Sequence, residues 1–217
     1  MDVCTDLKHD QHRTRLAFHG WIQTTKPGRD RYRGFLEPIF QRMWEYFDRY
    51  ISATQDVPWT YTERSLIGYL NAAALGTGRL GMVEYGCERT GKRPLGRVDW
   101  WLATADCERE IIVEARQAWI SSPRSWSQVH EALSTASRQT FDYAAPVERL
   151  TLCFVRPYWK QSGYCAVNPI EDWVGLQTDF PEQADWCAYY WLEDLTHGQY
   201  QEYYRPGLMV FGRALEI

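Results

Sequence analysis

The chain has 217 residues, of which 45% are hydrophobic, and its formal net charge at pH 7 is −4. This is enough for one large domain with a hydrophobic core, or for one domain with a substantial extension. The acidic balance gives no overall basic signal for nucleic acid. Because the sequence shows neither an apolar run of membrane length nor an export signal, we expect a cytoplasmic protein without a membrane partner.

The cysteines and histidines show no pattern of a metal centre. The six cysteines contain no Cys-x-x-Cys pair, and the five histidines are scattered. We therefore expect reduced thiols and no iron–sulfur cluster.

Charge is distributed unevenly along the chain. Residues 8–33 carry seven Lys or Arg and two Asp, whereas residues 161–204 carry eight Asp or Glu and no Lys or Arg. This asymmetry is consistent with two oppositely charged faces, or simply with two solvated surfaces.

The amino-terminal half is predicted to contain an irregular arm and two helices. Residues 1–33 form the arm, because "TKPGRDRYRG" combines Pro, Gly and four cations. Apolar residues recur at helical spacing from Gly34 to Tyr50 and from Thr62 to Leu75, which predicts a helix over each range.

Strands dominate the rest of the prediction, which is a mixed α/β (α+β) layer. Two further strands are expected in the aromatic tail, at "WCAYYWLE" and "GLMVFGRAL". Before the tail, the predicted elements are strands from Met82 to Arg89, Arg97 to Ala103 and Glu110 to Trp119, a helix from Ser127 to Tyr143, and a strand from Arg149 to Tyr158.

One nucleotide-binding pattern is misleading. Residues 86–92, "GCERTGK", fit GxxxxGK, but Arg93 stands where a Ser or Thr would hold magnesium, and Pro94 follows. The segment enters a strand instead of the helix whose amino terminus would bind phosphate. We interpret it as a basic turn and expect no nucleotide cofactor.

Two apolar segments each contain a carboxylate, in "GRVDWWLA" and "EIIVEARQAW". Side chains alternate along a strand, so Glu114 and Arg116 point to the same face. Asp99 lies on the preceding antiparallel strand, and the two acids can converge at one end of the sheet. Two close carboxylates repel unless a cation lies between them, and their hard oxygens suit Mg²⁺ or Mn²⁺.

These residues and the order of elements resemble the PD-(D/E)XK nuclease superfamily. "GRVD" on one strand and "VEAR" on the next match its acid and its (D/E)-x-K motif within an αβββαβ core. Glu63 lies at the start of the preceding helix, where many members have another acid. "QTFDY" places Gln139 and Tyr143 one turn apart, as in the QxxxY element of RecB-like members.

The resemblance covers residues 60–158 and implies a restriction-endonuclease-like core. Residues 1–59 would be an arm and helix packed on that core, and residues 159–217 an acidic, aromatic β extension of the same domain. It further implies a metal held by Asp99, Glu114 and Glu63, with Gln139 and Tyr143 binding substrate.

The sequence departs from the family at Arg116, where the motif has Lys. Guanidinium stays protonated near neutral pH, so it can hold a phosphate oxygen but cannot act as a base. Alternatively, Asp99 and Glu114 form cross-strand ion pairs with Arg97 and Arg116, and no metal binds.

Three functions follow from these observations. The first is a Mg²⁺- or Mn²⁺-dependent nuclease acting on DNA, with RNA as an alternative, in repair, mobile-element or anti-phage roles. The second is a degenerate nuclease fold that binds nucleic acid or protein without cleavage. The third is an interaction or inhibitor protein that uses residues 171–204, whose aromatic and acidic side chains suit a basic protein partner, unless those aromatics only line the two faces of a strand.

Overall fold

The computed structural model of the chain describes residues 3–5, 17–24, 32–88, 95–121, 126–141, 147–160, 184–193, 199–200 and 202–215. Its α-helices are α1 (Arg33–Thr54), α2 (Glu63–Gly76) and α3 (Trp126–Phe141), with a short 3-10 helix at Pro58–Thr60. The strands are β1 (Val3–Thr5), β2 (Ala17–Thr24), β3 (Leu80–Glu88), β4 (Leu95–Ala103), β5 (Glu110–Ile120), β6 (Glu148–Pro157), β7 (Trp159–Lys160), β8 (Trp186–Leu192), β9 (Gln199–Tyr200), β10 (Tyr203–Tyr204) and β11 (Gly207–Leu215).

Local sequence explains where α2 begins. The side chain of Thr62 accepts a hydrogen bond of 3.3 Å from the backbone N–H of Ser65, which satisfies one of the free donors of the first turn. Glu63 is consequently the first helical residue, and its charge faces the positive end of the helix dipole. The cap therefore fixes the position of a residue that belongs to the candidate site.

Eight strands form one mixed sheet in the order β1-β2-β8-β11-β6-β5-β4-β3. Neighbouring strands are antiparallel except for β5 and β6, which run parallel from Ile111↔Glu148 to Ile120↔Pro157. A parallel pair needs a long crossover, and α3 provides it. Strands β7, β10 and β9 form a second, small sheet.

Helices cover both faces of the large sheet. Helices α1 and α2 pack on one face, and α3 packs on the other. The first face contributes Val113, Ala115, Leu150, Leu152 and Phe154 to a core shared with α1 and α2. The second contributes Ala118, Ile120, Cys153 and Val155 to a core shared with Val129 and Leu133 of α3.

The mixed α/β class predicted from the sequence is confirmed, and the elements from α2 to β6 follow one another in the expected order. Both expected tail strands exist as β8 and β11. They lie inside the large sheet, between β6 and β2. In this central position their residues are almost entirely buried.

The prediction of an irregular arm over residues 1–33 is wrong for Ala17–Thr24, which forms strand β2 beside β8. Trp21 is buried and stacks on Trp186, with ring centroids 4.4 Å apart and an interplanar angle of 19°. The partner strand lies far away in sequence, so local composition could not reveal the pairing.

Among the described residues, no helix is both long and apolar enough to cross a membrane.

Candidate active site

Asp99 lies where strand β4 separates from β5. The ladder between the two strands runs only from Ala103↔Glu110 to Trp100↔Val113. Trp100 packs in the core shared with α1 and α2, whereas Val98 packs against Ile112 of the opposite face. Alternate residues of a regular strand share a face, so β4 is irregular at Asp99.

A hydrogen bond holds the Asp99 side chain at this separation. Its Oδ2 accepts a bond of 2.8 Å from the backbone N–H of Ala115 on β5. The neighbouring strand is irregular at the same level, since Glu84 of β3, between the paired residues Val83 and Tyr85, has a φ of 51°. The carboxylate of Asp99 is thus bound to the backbone of β5 between Glu114 and Arg116.

Glu114 and Arg116 lie on one face of β5, as strand alternation predicted. Val113 and Ala115 belong to the core on the α1 and α2 side, which places Glu114 and Arg116 on the α3 side. Glu114 is only 4% exposed and lies opposite Thr151 of the parallel strand β6. A carboxylate buried to this extent in a central strand is costly unless it is paired or serves a function.

The guanidinium of Arg116 lies among the acids. Its Nη1 donates a hydrogen bond of 2.6 Å to the carbonyl of Ala115. The same nitrogen lies 3.8 Å from Oδ2 of Asp99 and 3.9 Å from Oε1 of Glu63. Nη1 of Arg116 therefore lies within 4 Å of the Ala115 carbonyl and of the carboxylates of Asp99 and Glu63. Arg97, the other proposed ion-pair partner, contacts Glu84 at 3.1 Å.

Glu63 has a strongly perturbed acidity. Burial is the largest cause and the Asp99 carboxylate adds to it, and together they raise the pKa of Glu63 to about 7. The charges of Arg116, Arg156 and Arg64 act in the opposite direction. Glu63 can therefore gain or lose a proton near neutral pH, which is the property of a general acid or base.

Helix α3 brings Gln139 into the same group. Its Oε1 accepts a hydrogen bond from Nη2 of Arg116, so the guanidinium is held from two directions. The structure thus brings together Glu63, Asp99, Arg116 and Gln139. Glu114 lies two residues before Arg116 on β5, buried and opposite Thr151. Tyr143, the second half of the predicted QxxxY element, lies outside the described residues.

The donor atoms fit a hard divalent cation in type. The described part of the chain contains no cluster of three or more His, Cys, Asp or Glu side chains that could hold a metal. The group around Arg116 Nη1 instead combines the carboxylates of Asp99 and Glu63 with the carbonyl of Ala115. Carboxylate and carbonyl oxygens are ligands of Mg²⁺ and Mn²⁺.

Sequence reasoning missed Arg156, a buried cation of β6. Its side chain is 2% exposed, and burial lowers its pKa to about 10. Glu63 acts against that shift, so the two residues interact electrostatically. The signal was present, since "LTLCFVRPY" places an Arg in an apolar strand in the way that Asp99 and Glu114 interrupt theirs.

Comparisons with family models, with curated proteins and with solved structures gave no significant match for this chain. The site is therefore interpreted from its own geometry.

Proposed function

We propose that the protein is a metal-dependent nuclease that hydrolyses phosphodiester bonds in DNA. The observation that carries the proposal is the convergence of Asp99, Glu63 and the Ala115 carbonyl around one cationic nitrogen, where β4 separates from β5. The position suits a cation electrostatically, because two carboxylates and a carbonyl dipole all direct negative charge at it.

In this proposal Asp99, Glu114 and the Ala115 carbonyl hold Mg²⁺ or Mn²⁺, and Glu63 lies nearby. A divalent ion there would neutralise charge on the phosphodiester and lower the pKa of a bound water. Arg116 would release the Ala115 carbonyl when the ion arrives. Its side chain is 30% exposed, which leaves it room to move.

The side chains supply the remaining roles. Arg116 stays protonated and holds a non-bridging phosphate oxygen as negative charge develops on it. Gln139 positions that guanidinium from α3. Glu63, whose carboxylate lies 3.9 Å from the Arg116 guanidinium, is placed to accept a proton from the attacking water.

The same geometry supports a second candidate, a nuclease-like fold that binds nucleic acid without cutting it. Here Arg116 is the permanent counter-charge of Asp99 and Glu63, and no metal is required. The specific support is that its Nη1 already occupies the point where the first proposal places the ion.

The third possibility, a protein-binding aromatic tail, gains no support from β8. Trp186, Tyr189, Tyr190 and Trp191 are each at most 3% exposed and belong to the core of the sheet. For this part of the tail the alternating aromatics line the two faces of a strand, as the competing interpretation expected. Residues 171–183, 194–198 and 201 lie outside the described residues.

One experiment separates the two remaining candidates. Linear, circular and single-stranded DNA and RNA are incubated with Mg²⁺ or Mn²⁺, and Glu114→Ala serves as the inactive control. Metal-dependent cleavage that disappears in Glu114→Ala supports the nuclease. Binding without cleavage, and no uptake of Mn²⁺ by the wild type, supports the second candidate.

A further inference from the structure

A cavity of about 270 Å³ lies at the end of β5 and β6, lined by Trp119, Tyr158, Tyr203 and Arg205. The rings of Trp119 and Tyr158 are 6.2 Å apart at 71°, and those of Tyr158 and Tyr203 are 5.9 Å apart at 67°. Each ring therefore stands edge-on to the next. The described lining therefore consists of three aromatic rings and one guanidinium.

Three cations of the described part of the chain lie in or near this cavity. The guanidinium carbons of Arg205 and Arg156 lie 5.1 Å and 4.9 Å from the centroid of the Trp119 ring. The charge of Arg205 helps to lower the pKa of Arg156, so the two cations repel one another. Lys160 lies 6.0 Å from the Tyr203 ring, where Glu202 accompanies it at 3.8 Å.

Arg156 places a buried positive charge beside the cavity. It is 2% exposed, and its guanidinium lies 4.9 Å from the centroid of the Trp119 ring that lines the cavity. A buried charge without an opposite charge nearby is costly. A phosphate in the cavity would therefore lie close to two guanidinium groups, those of Arg205 and Arg156.

One buried residue lies between the cavity and the candidate active site. Arg156 is opposite Trp119 in the parallel ladder and interacts electrostatically with Glu63. A ligand in the cavity would thus lie next to a residue that influences the charge of Glu63.

We propose that this cavity binds one unpaired nucleotide unit, with its base against Tyr158 and Tyr203 and its phosphate against Arg205. Aromatic rings stack on any base, and cations beside them hold the backbone, which is how proteins bind single strands. A paired base offers no free face for such stacking, so duplex DNA should bind less well. The identity of the ligand rests on the proposed function, but its binding can be measured without cleavage.

The test is a fluorescence-anisotropy titration of a short labelled single-stranded oligonucleotide in EDTA. Competitors are the same strand with abasic sites, a blunt duplex and a free nucleoside monophosphate. We expect Tyr203→Ala and Arg205→Gln each to weaken binding about tenfold, and Tyr203→Phe to retain it. Arg42→Gln, which removes an exposed arginine of α1, should change nothing. Circular dichroism establishes that each variant is folded.

The outcomes separate this proposal from the nuclease proposal. Equal competition by abasic and intact strands, or unchanged binding in Tyr203→Ala and Arg205→Gln, would overturn the nucleotide cavity even if the wild type cleaves DNA. Binding that depends on Tyr203 and Arg205 in a protein that never cleaves supports the cavity and removes the nuclease. Stronger competition by the free monophosphate than by the strand assigns the cavity to free nucleotides.

Discussion

The Nη1 atom of Arg116 lies 3.8 Å from Oδ2 of Asp99, at the point where two neighbouring strands part. The backbone fixes both residues, since Asp99 accepts a hydrogen bond from the Ala115 N–H and Arg116 donates one to the Ala115 carbonyl. The Asp99 carboxylate and the Arg116 guanidinium are thus held by the N–H and the carbonyl of the same residue, Ala115. Whether that cation is later exchanged for a metal ion decides between catalysis and binding alone.

Removal of the guanidinium should affect metal binding and cleavage in opposite directions. In Arg116→Ala the Ala115 carbonyl is released, so we expect Mn²⁺ to bind about tenfold more tightly in a titration followed by electron paramagnetic resonance. Cleavage should fall roughly a hundredfold or more, because a charge that stabilises the transition state is lost. Arg116→Lys should preserve or raise cleavage, since Lys keeps the positive charge and is the residue found in the motif that this segment resembles. Unchanged Mn²⁺ affinity in Arg116→Ala would contradict competition between guanidinium and metal.

Asp99 should have separable structural and functional roles. Asp99→Ala removes the acceptor for the Ala115 N–H, and we expect a loss of about 1–2 kcal/mol in the free energy of unfolding, measured with urea. Asp99→Asn keeps an acceptor oxygen and should cost less than about 1 kcal/mol. Both variants lose the charge and should lose Mn²⁺ binding. If Asp99→Asn binds Mn²⁺ like the wild type, Asp99 is not a metal ligand.

The raised pKa of Glu63 predicts how stability depends on pH. The folded protein holds this proton up to pH about 7, whereas the unfolded chain releases it near its ordinary value of 4.5. Between these values the folded state binds more protons, so the Glu63 contribution to stability falls as pH rises. The destabilisation caused by ionising Glu63 in the folded state is complete above pH about 7 and absent below pH about 4.5.

The measurement compares Glu63→Gln with the wild type by thermal unfolding at pH 4 and pH 8. The variant should be more stable than the wild type at pH 8, and the difference should shrink at pH 4. Glu108→Gln controls for the loss of an exposed carboxylate. A stability difference that is the same at both pH values would mean that Glu63 does not carry this titration.

Much of the fold could be predicted because its signals are local. The apolar stripe of α1, the Thr62 cap of α2 and the apolar runs of β4, β5 and β6 are all readable within one segment. The predicted ends of these elements agree with the structure to within a few residues. Strand β2 could not be predicted, since its stability depends on a partner more than a hundred residues away.

The candidate site was predictable only in part. Strand alternation predicts that Glu114 and Arg116 share a face of β5, and the structure places Val113 and Ala115 in the core on the other face. The irregularity at Asp99 and the hydrogen bond from Arg116 to the Ala115 carbonyl depend on how two strands separate, which no spacing in the sequence reports. The sequence shows that an Arg interrupts the apolar run of β6, but it does not show that Arg156 lies near Glu63 of α2 and Trp119 of β5, because both residues are far from it in sequence.

The stacking of Trp21 on Trp186 predicts that strand β2 is an integral part of the domain. Trp21 is 4% exposed and also contacts Phe40 of α1, with ring centroids 6.0 Å apart, so it joins the sheet to the helix above it. We expect Trp21→Ala to reduce the free energy of unfolding by about 3–5 kcal/mol, as a large cavity forms in the core. Trp21→Phe should cost less, because a ring remains between Trp186 and Phe40. Tyr85→Ala, which removes a half-buried ring near the opposite edge of the sheet, should cost only about 1 kcal/mol. Urea unfolding followed by far-ultraviolet circular dichroism gives all three values, and a Trp21→Ala variant as stable as Tyr85→Ala would show that β2 is a dispensable arm after all.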